Sequence, residues 1–190
     1  MKLKHIVVAL IAVASSAAFA APEVYKIDPG HTYPSFEADH KGISILRGKF
    51  TRTSGTVVLD RAAKTGTVDI EIDTDSIDFG HEKLNKHAKN EDMFDVAKYP
   101  KTYYKSKSIT FNGANPIAID GELTLHGVTR PLTLTINSFK CIIDPNSKAE
   151  TCGADASAKF LRSDFGISYG VPRFSPEVKL AIQIEAVKAP

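Results

Sequence analysis

The sequence predicts an all-β protein, an antiparallel barrel or sandwich with the barrel favoured, and three observations carry that reading. Large apolar and polar residues alternate with period two, most cleanly over Asp120–Ile136, DGELTLHGVTRPLTLTI. Turn signals such as Asp28-Pro29-Gly30, Lys64-Thr65-Gly66, Asn112-Gly113 and Asp144-Pro145-Asn146 punctuate the chain. Helical patterns do not alternate with the strand patterns, as a parallel sheet would require.

In chain order, the first element is a leader. Residues 1–20 carry Lys2 and Lys4, an apolar run from Ile6 to Val13, and the small residues Ala18-Phe19-Ala20 before Ala21-Pro22. Charged, apolar and small-residue regions in that order predict a secretory signal peptide cleaved after Ala20, leaving one domain over 21–190. The apolar run is short for a bilayer span, and no later segment is apolar enough, so no membrane span is expected. The chain has 24 Lys+Arg and 22 Asp+Glu. Removing the leader takes away two lysines and no acid, and the balanced remainder lacks the basic excess that nucleic acid requires.

The next strand candidates are Val24–Asp28, Ser35–His40, Ser44–Thr51 and Gly55–Leu59, followed by Val68, Ile70 and Ile72 alternating with Asp69, Glu71 and Asp73. The rhythm then breaks from Ile77 to Tyr99. Leu84, His87 and Ala88 at helical spacing predict a short helix over about Glu82–Asn90, with Asp78 as its N-cap candidate. Met93 and Phe94 beyond it either plug one end of a barrel or line an entrance. Strands resume at Thr102–Asn112, in the Asp120–Ile136 stretch, at Ala154–Leu161, and where Val178, Leu180, Ile182 and Ile184 alternate with polar partners. Cys141 and Cys152 are the two cysteines, and in an exported chain such a pair is most simply a disulfide joining neighbouring strands.

Signs of catalysis are few. His81-Glu82 begins like H-E-x-x-H, but Asn85 stands where the second histidine would be. Neither G-x-S-x-G nor a glycine-rich phosphate loop is present. The acids Asp69, Glu71 and Asp73 alternate along one strand and so share a solvated outer face, and Asp75 and Asp78 continue that acidic run. His31, His40, His81, His87 and His126 are scattered without ligand spacing, so no metal site and no enzyme activity are expected.

Gly121–Leu132, GELTLHGVTRPL, and Tyr25–Thr32, YKIDPGHT, with further stretches in order along nearly the whole mature chain, resemble the YceI-like family of secreted lipocalin-like proteins. The resemblance is strongest in those two stretches. It extends through Phe36–His40, Gly48–Phe50, Lys86-His87, Met93–Asp95, Tyr99-Pro100, Ser163–Ile167 and Val178–Glu185. Where many members carry R-D-x-H-L, this chain has Leu84-Asn85-Lys86-His87-Ala88. The resemblance implies an eight-stranded antiparallel lipocalin-like barrel with a short helical segment near one end. It also implies a long polyisoprenoid or isoprenoid quinone in the interior as ligand, no required cofactor, and a periplasmic location, with release or surface association as variants.

Eight strands give an interior that either side chains or one slender ligand fills. Strands of about ten residues at ~3.3 Å per residue, tilted by about 40°, make a tube roughly 25 Å tall. Periodicity alone favours a filled core, and the resemblance favours the ligand tube. The expected ligand contacts are Phe36, Phe50, Ile70, Ile72, Leu123, Leu125, Leu134, Ile136, Ile182 and Ile184, with Phe79, Met93, Phe94 and Phe165 near an end. Leu132 shares their inward face, Thr124, Thr133 and Thr135 face water, and His81, His87 and Tyr103 are the headgroup candidates. A carrier, store or sensor of an isoprenoid lipid is the expected function. The competitors are an enzyme or redox helper acting on bound quinone and a ligand-free surface or adhesion module. A second copy of the chain, as a homodimer, is one candidate cover for a ligand protruding from the mouth, and no interface pattern is legible in the sequence.

Overall fold

A computed structural model describes residues 21–190. The leader expected over residues 1–20 lies outside them. Eleven strands form the sheet: β1 Glu23–Ile27, β2 Tyr33–His40, β3 Ser44–Phe50, β4 Thr53–Asp60, β5 Thr65–Asp73, β6 Ile77–Asp78, β7 Lys101–Asn112, β8 Asn115–Leu125, β9 Val128–Ile143, β10 Glu150–Leu161 and β11 Glu177–Lys188. All pairings are antiparallel, and β1 pairs both β4 and β11, which closes the ring.

The eleven strands make eight staves, because three staves are broken. β1 and β2 lie end to end along β11, β3 and β4 follow one another along β2 and β1, and β6 extends β5 along β3. Side chains hold each break. Between β1 and β2 the Asp28 carboxylate accepts from Gly30 N at 2.8 Å, while Thr32 Oγ1 donates to Glu185 O at 3.0 Å and accepts from Glu185 N at 3.1 Å. Between β3 and β4, Ser76 Oγ accepts from Thr51 N at 3.2 Å and Arg52 N at 3.0 Å. These bonds satisfy backbone groups that the interrupted ladders leave open. Sequence patterning reads Val24–Asp28 and Ser35–His40 as separate strands because the Pro-Gly turn between them resembles a hairpin turn.

The opening alternation becomes the β8–β9 hairpin. His126 and Gly127 both have positive φ, 52° and 75°, the left-handed pair that a two-residue turn between right-twisted strands needs. Leu123, Leu125, Leu132 and Leu134 are buried inward, and Thr133 and Thr135 are exposed. A bulge against β10 then shifts the register after Ile136, so Phe139 and Cys141 rather than Ser138 continue the inner face. Cys141 stands opposite Cys152 and is bonded to it. Closing so short a loop stabilises the fold by roughly 3 kcal/mol in the chain-entropy model.

The single α-helix among the described residues, α1, spans Glu82–Ala88, two residues shorter than expected, and its cap is His81 rather than Asp78. The Asp78 carboxylate is occupied by Gly80 N at 2.8 Å and Asn85 Nδ2 at 2.8 Å. His81 Nδ1 therefore takes the free Leu84 N–H at 3.3 Å. Among the described residues no helix is long and apolar enough to cross a membrane. The acidic alternation of β5 faces outward, where Asp69 meets Lys105, Glu71 meets Lys101 and Asp73 meets Arg52.

One end of the barrel is sealed by charge. Arg61 Nη2 reaches Glu23 at 2.8 Å and Glu150 at 2.7 Å, Lys188 Nζ reaches Glu23 at 2.6 Å, and the Tyr25 hydroxyl donates to Glu23 at 2.9 Å. Donors from Lys188, then Arg61, then Tyr25 lower the Glu23 pKa from 4.5 to about 2. A carboxylate depressed on folding contributes stability that is whole above pH 4.5 and fades as pH falls toward about 2. Glu23→Gln is therefore expected to cost roughly 1–2 kcal/mol at neutral pH and nearly nothing at about pH 2, after allowing for partial solvent screening. Urea midpoints of wild type and variant across that range check this; a gap independent of pH would sink it.

Candidate functional site

The barrel is not filled. The inward side chains of the eight staves surround a continuous cavity of about 840 Å³, within the size range of pockets that hold one small molecule. Its far end lies over Tyr25, Leu59 and Ala186, just inside the charged seal, and its middle is walled by Ile70, Leu123, Leu134 and Ile184. Toward the opposite end the wall becomes aromatic. Phe36 lies 5.9 Å from Phe50 and 5.5 Å from Phe79, and Phe50 meets Phe94 edge-on at 5.8 Å. Gly48 makes that cluster fit: a Cβ there would stand 2.6 Å from the Phe36 ring and 2.9 Å from Phe79.

Polar atoms on the wall are sparse, and most are satisfied. The Tyr104 hydroxyl lies 3.0 Å from Ile119 O and 3.1 Å from Leu132 O, and burial pushes its pKa upward. Gly121 leaves room for that ring, since a Cβ there would stand 2.6 Å from the Tyr104 oxygen. Thr53 is the exception. Its hydroxyl is buried on the cavity wall with no hydrogen-bond partner among the described residues.

The mouth lies where the β2–β3 hairpin, α1 and the segment 166–176 converge. His40, Ile45, His81, Lys83, His87, Tyr169 and Phe174 ring it. His40 and Phe174 are 5.3 Å apart, Tyr169 and Phe174 stack at 6.5 Å, and Tyr169 meets the His87 ring at 4.8 Å, an arc of rings from hairpin to helix. Arg162 holds the outer segment in place. Its guanidinium donates to the carbonyls of Ser175 at 3.2 Å, Ile167 at 3.0 Å, Tyr169 at 2.9 Å and Phe174 at 3.5 Å. Buried with no carboxylate partner among the described residues, its charge is desolvated, which lowers its pKa.

The sequence-predicted residues fall into two groups. Phe36, Phe50, Ile70, Ile72, Phe79, Met93, Phe94, Leu123, Leu125, Leu134, Ile136, Ile182 and Ile184 lie on the cavity wall, as does Leu132, and His81 and His87 stand at its mouth. Met93 and Phe94 therefore line the interior beneath the mouth. Phe165 and Tyr103 lie off the wall. Phe165 belongs to a 3-10 turn after β10, where strand alternation no longer applies, and packs edge-on against Phe160 at 5.3 Å. Tyr103 pairs with Thr124 on the outer face, and its neighbour Tyr104 points inward level with Ile70 and Leu123. Sequence reasoning missed Tyr104, Thr53 and Arg162. Period-two counting from Leu123 across the sheet finds Tyr104 once the register is known; no sequence signal marks Arg162.

Comparison with known proteins places this architecture among relatives. The family model of the YceI-like domain matches residues 25–186. A UPF0312 protein of Shewanella putrefaciens is 32% identical over 97% of this chain and 98% of its own length, and Protein YceI of Escherichia coli is 34% identical over 91% of each. Among solved structures, BcnA of Burkholderia cenocepacia superposes with a TM-score of 0.69 at 23% identity, covering 84% of this chain and 98% of that one. A polyisoprenoid binding domain from Saccharophagus degradans superposes with a TM-score of 0.64 at 14% identity, covering 87% and 98%. At such identities the two structures speak to the fold alone.

Proposed function

Since this chain belongs to the YceI-like domain family, we propose that it holds one long isoprenoid lipid or isoprenoid quinone in its barrel as a carrier, store or sensor in the periplasm, without turning it over. The observation that carries this reading is the apolar cavity of about 840 Å³, sealed by charge at one end and ringed by aromatic and imidazole side chains at the other. A long apolar chain suits that shape, since enclosing it removes apolar area from water at about 25 cal/mol per Å² and demands few hydrogen bonds. The polyisoprenoid binding domain from Saccharophagus degradans shares the fold, and we carry its ligand class over to this cavity as part of the proposal.

The chemistry of the wall supports a cargo with an acceptor atom. The unpartnered Thr53 hydroxyl would gain a hydrogen bond from a quinone carbonyl or a prenol oxygen, which plain hydrocarbon cannot give. His81 and His87 offer further partners to a headgroup at the mouth. Native mass spectrometry of the purified protein, followed by solvent extraction, tests the proposal. The expected result is a one-to-one adduct that extracts as an isoprenoid compound. Protein that remains free of lipid after isolation from cells, and takes up no added isoprenoid quinone, would overturn it.

A further inference from the structure

The surface around the mouth differs from the rest of this charge-balanced barrel in two ways. The tip of the β2–β3 hairpin presents Ile43, 81% exposed, with Ile45 at 43% beside the mouth and Tyr169 at 47% across it. Around these lie exposed cations: Lys41, over the Phe174 ring at 5.6 Å, Lys83 on the mouth itself, Lys86 on α1, and Arg173 in the segment held by Arg162. None of the four is ion-paired among the described residues, whereas Arg47 and Lys89 on the same elements are tied to Glu37 and Asp75. The acids on these elements nearest the rim are Asp39, whose carboxylate accepts from Gly42 N, and Glu82, so cations predominate.

We infer that this rim docks on an anionic bilayer surface, with Ile43 entering the headgroup region, so that cargo passes between bilayer and cavity without crossing water. Exposed apolar side chains at the tip and unpaired cations behind them are what an interfacial site uses. The cavity opens within the same patch, and the aromatic arc of His87, Tyr169 and Phe174 lies directly beneath it. A protein acceptor would use the apolar tip, but it has no general reason to match a positive rim. This inference rests on the lipid-cargo reading for its purpose, and its test does not.

The test is sedimentation of the purified protein with vesicles of phosphatidylethanolamine and phosphatidylglycerol, against vesicles of phosphatidylcholine. Co-sedimentation is expected with the anionic vesicles, weakening with salt. Lys41→Glu and Lys83→Glu should each lower the partition by about fivefold or more, given the usual worth of a cation near an anionic surface. Ile43→Ser should lower it by roughly tenfold through lost apolar contact. These side chains are exposed, so thermal midpoints should not move. Ile143→Ser, at the sealed end and 65% exposed in wild type, is the control for general stickiness and should bind as wild type does. Absence of binding to anionic vesicles, or equal loss in the Ile143 control, overturns the docking surface whatever the lipid content. Vesicle binding by protein that neither carries nor takes up an isoprenoid would sustain the docking surface and overturn the cargo reading.

Discussion

Leu134→Trp is expected to abolish lipid co-purification while leaving the lipid-stripped protein about as stable as stripped wild type. Leu134 lies on the cavity wall opposite Ile119 of β8, and the space in front of it belongs to the cavity of about 840 Å³. An indole placed there enters that space and obstructs the path of a long chain. In a filled core the same change would overpack, costing typically 1 to 3 kcal/mol, or a few degrees in thermal midpoint for each kcal/mol in a domain of this size. The comparison must use stripped protein, because bound ligand stabilises the native state by mass action. Leu125→Trp is the companion variant. Strong destabilisation of stripped protein, with lipid retained at wild-type stoichiometry, would show that these leucines serve packing and that the cargo runs elsewhere.

Arg162→Met should have the largest effect on the mouth. The substitution keeps an apolar stem of similar length and removes the donors that four carbonyls share. Leaving buried carbonyls unsatisfied costs about 1–3 kcal/mol each, and some will find water as the segment loosens, so a net loss of about 3 kcal/mol is expected. The loss should be local in its dynamics. Hydrogen exchange over residues 166–176 should accelerate far more than exchange in β8 and β9, because opening that segment no longer breaks the clasp. The arc of Tyr169 and Phe174 over the mouth goes with it, so release of a bound lipid should quicken. Unchanged exchange in that segment would mean that the packing of its rings, rather than Arg162, holds it.

How much of this was legible in advance varies element by element. The β8–β9 hairpin was legible over Asp120–Ile136, because a half-buried strand must place every second residue inward and a one-residue slip would bury Thr133 and Thr135 instead. The helix was legible in place but not in its cap, since Asp78 has the preferred chemistry and only the fold shows its oxygens already engaged by Gly80 and Asn85. Phe165 looked like a wall residue because it is aromatic and near the barrel's end, yet a 3-10 turn carries no period-two face. Tyr103 and Tyr104 are adjacent tyrosines of equal chemistry. Register alone decides which one enters the barrel.

The sequence by itself determined most of the strands and turns, the inward faces where alternation is regular, and the cysteine pair, because each depends on residues close in the chain or on simple alternation. Tertiary structure alone decided three things. It joined β1 with β2 and β5 with β6 into single staves, through Thr32 and Ser76 bonds to strands distant in sequence. It moved Phe139 and Cys141 onto the inner face through a bulge that alternation cannot announce. Most of all, it decided that the interior is hollow. An inward leucine has the same pattern whether it meets another side chain or empty space, since periodicity records which way a residue points and not how far away its opposite neighbour stands. That distance is set by the number of staves and their tilt around the closed ring, a property of the whole barrel that no segment of the sequence contains.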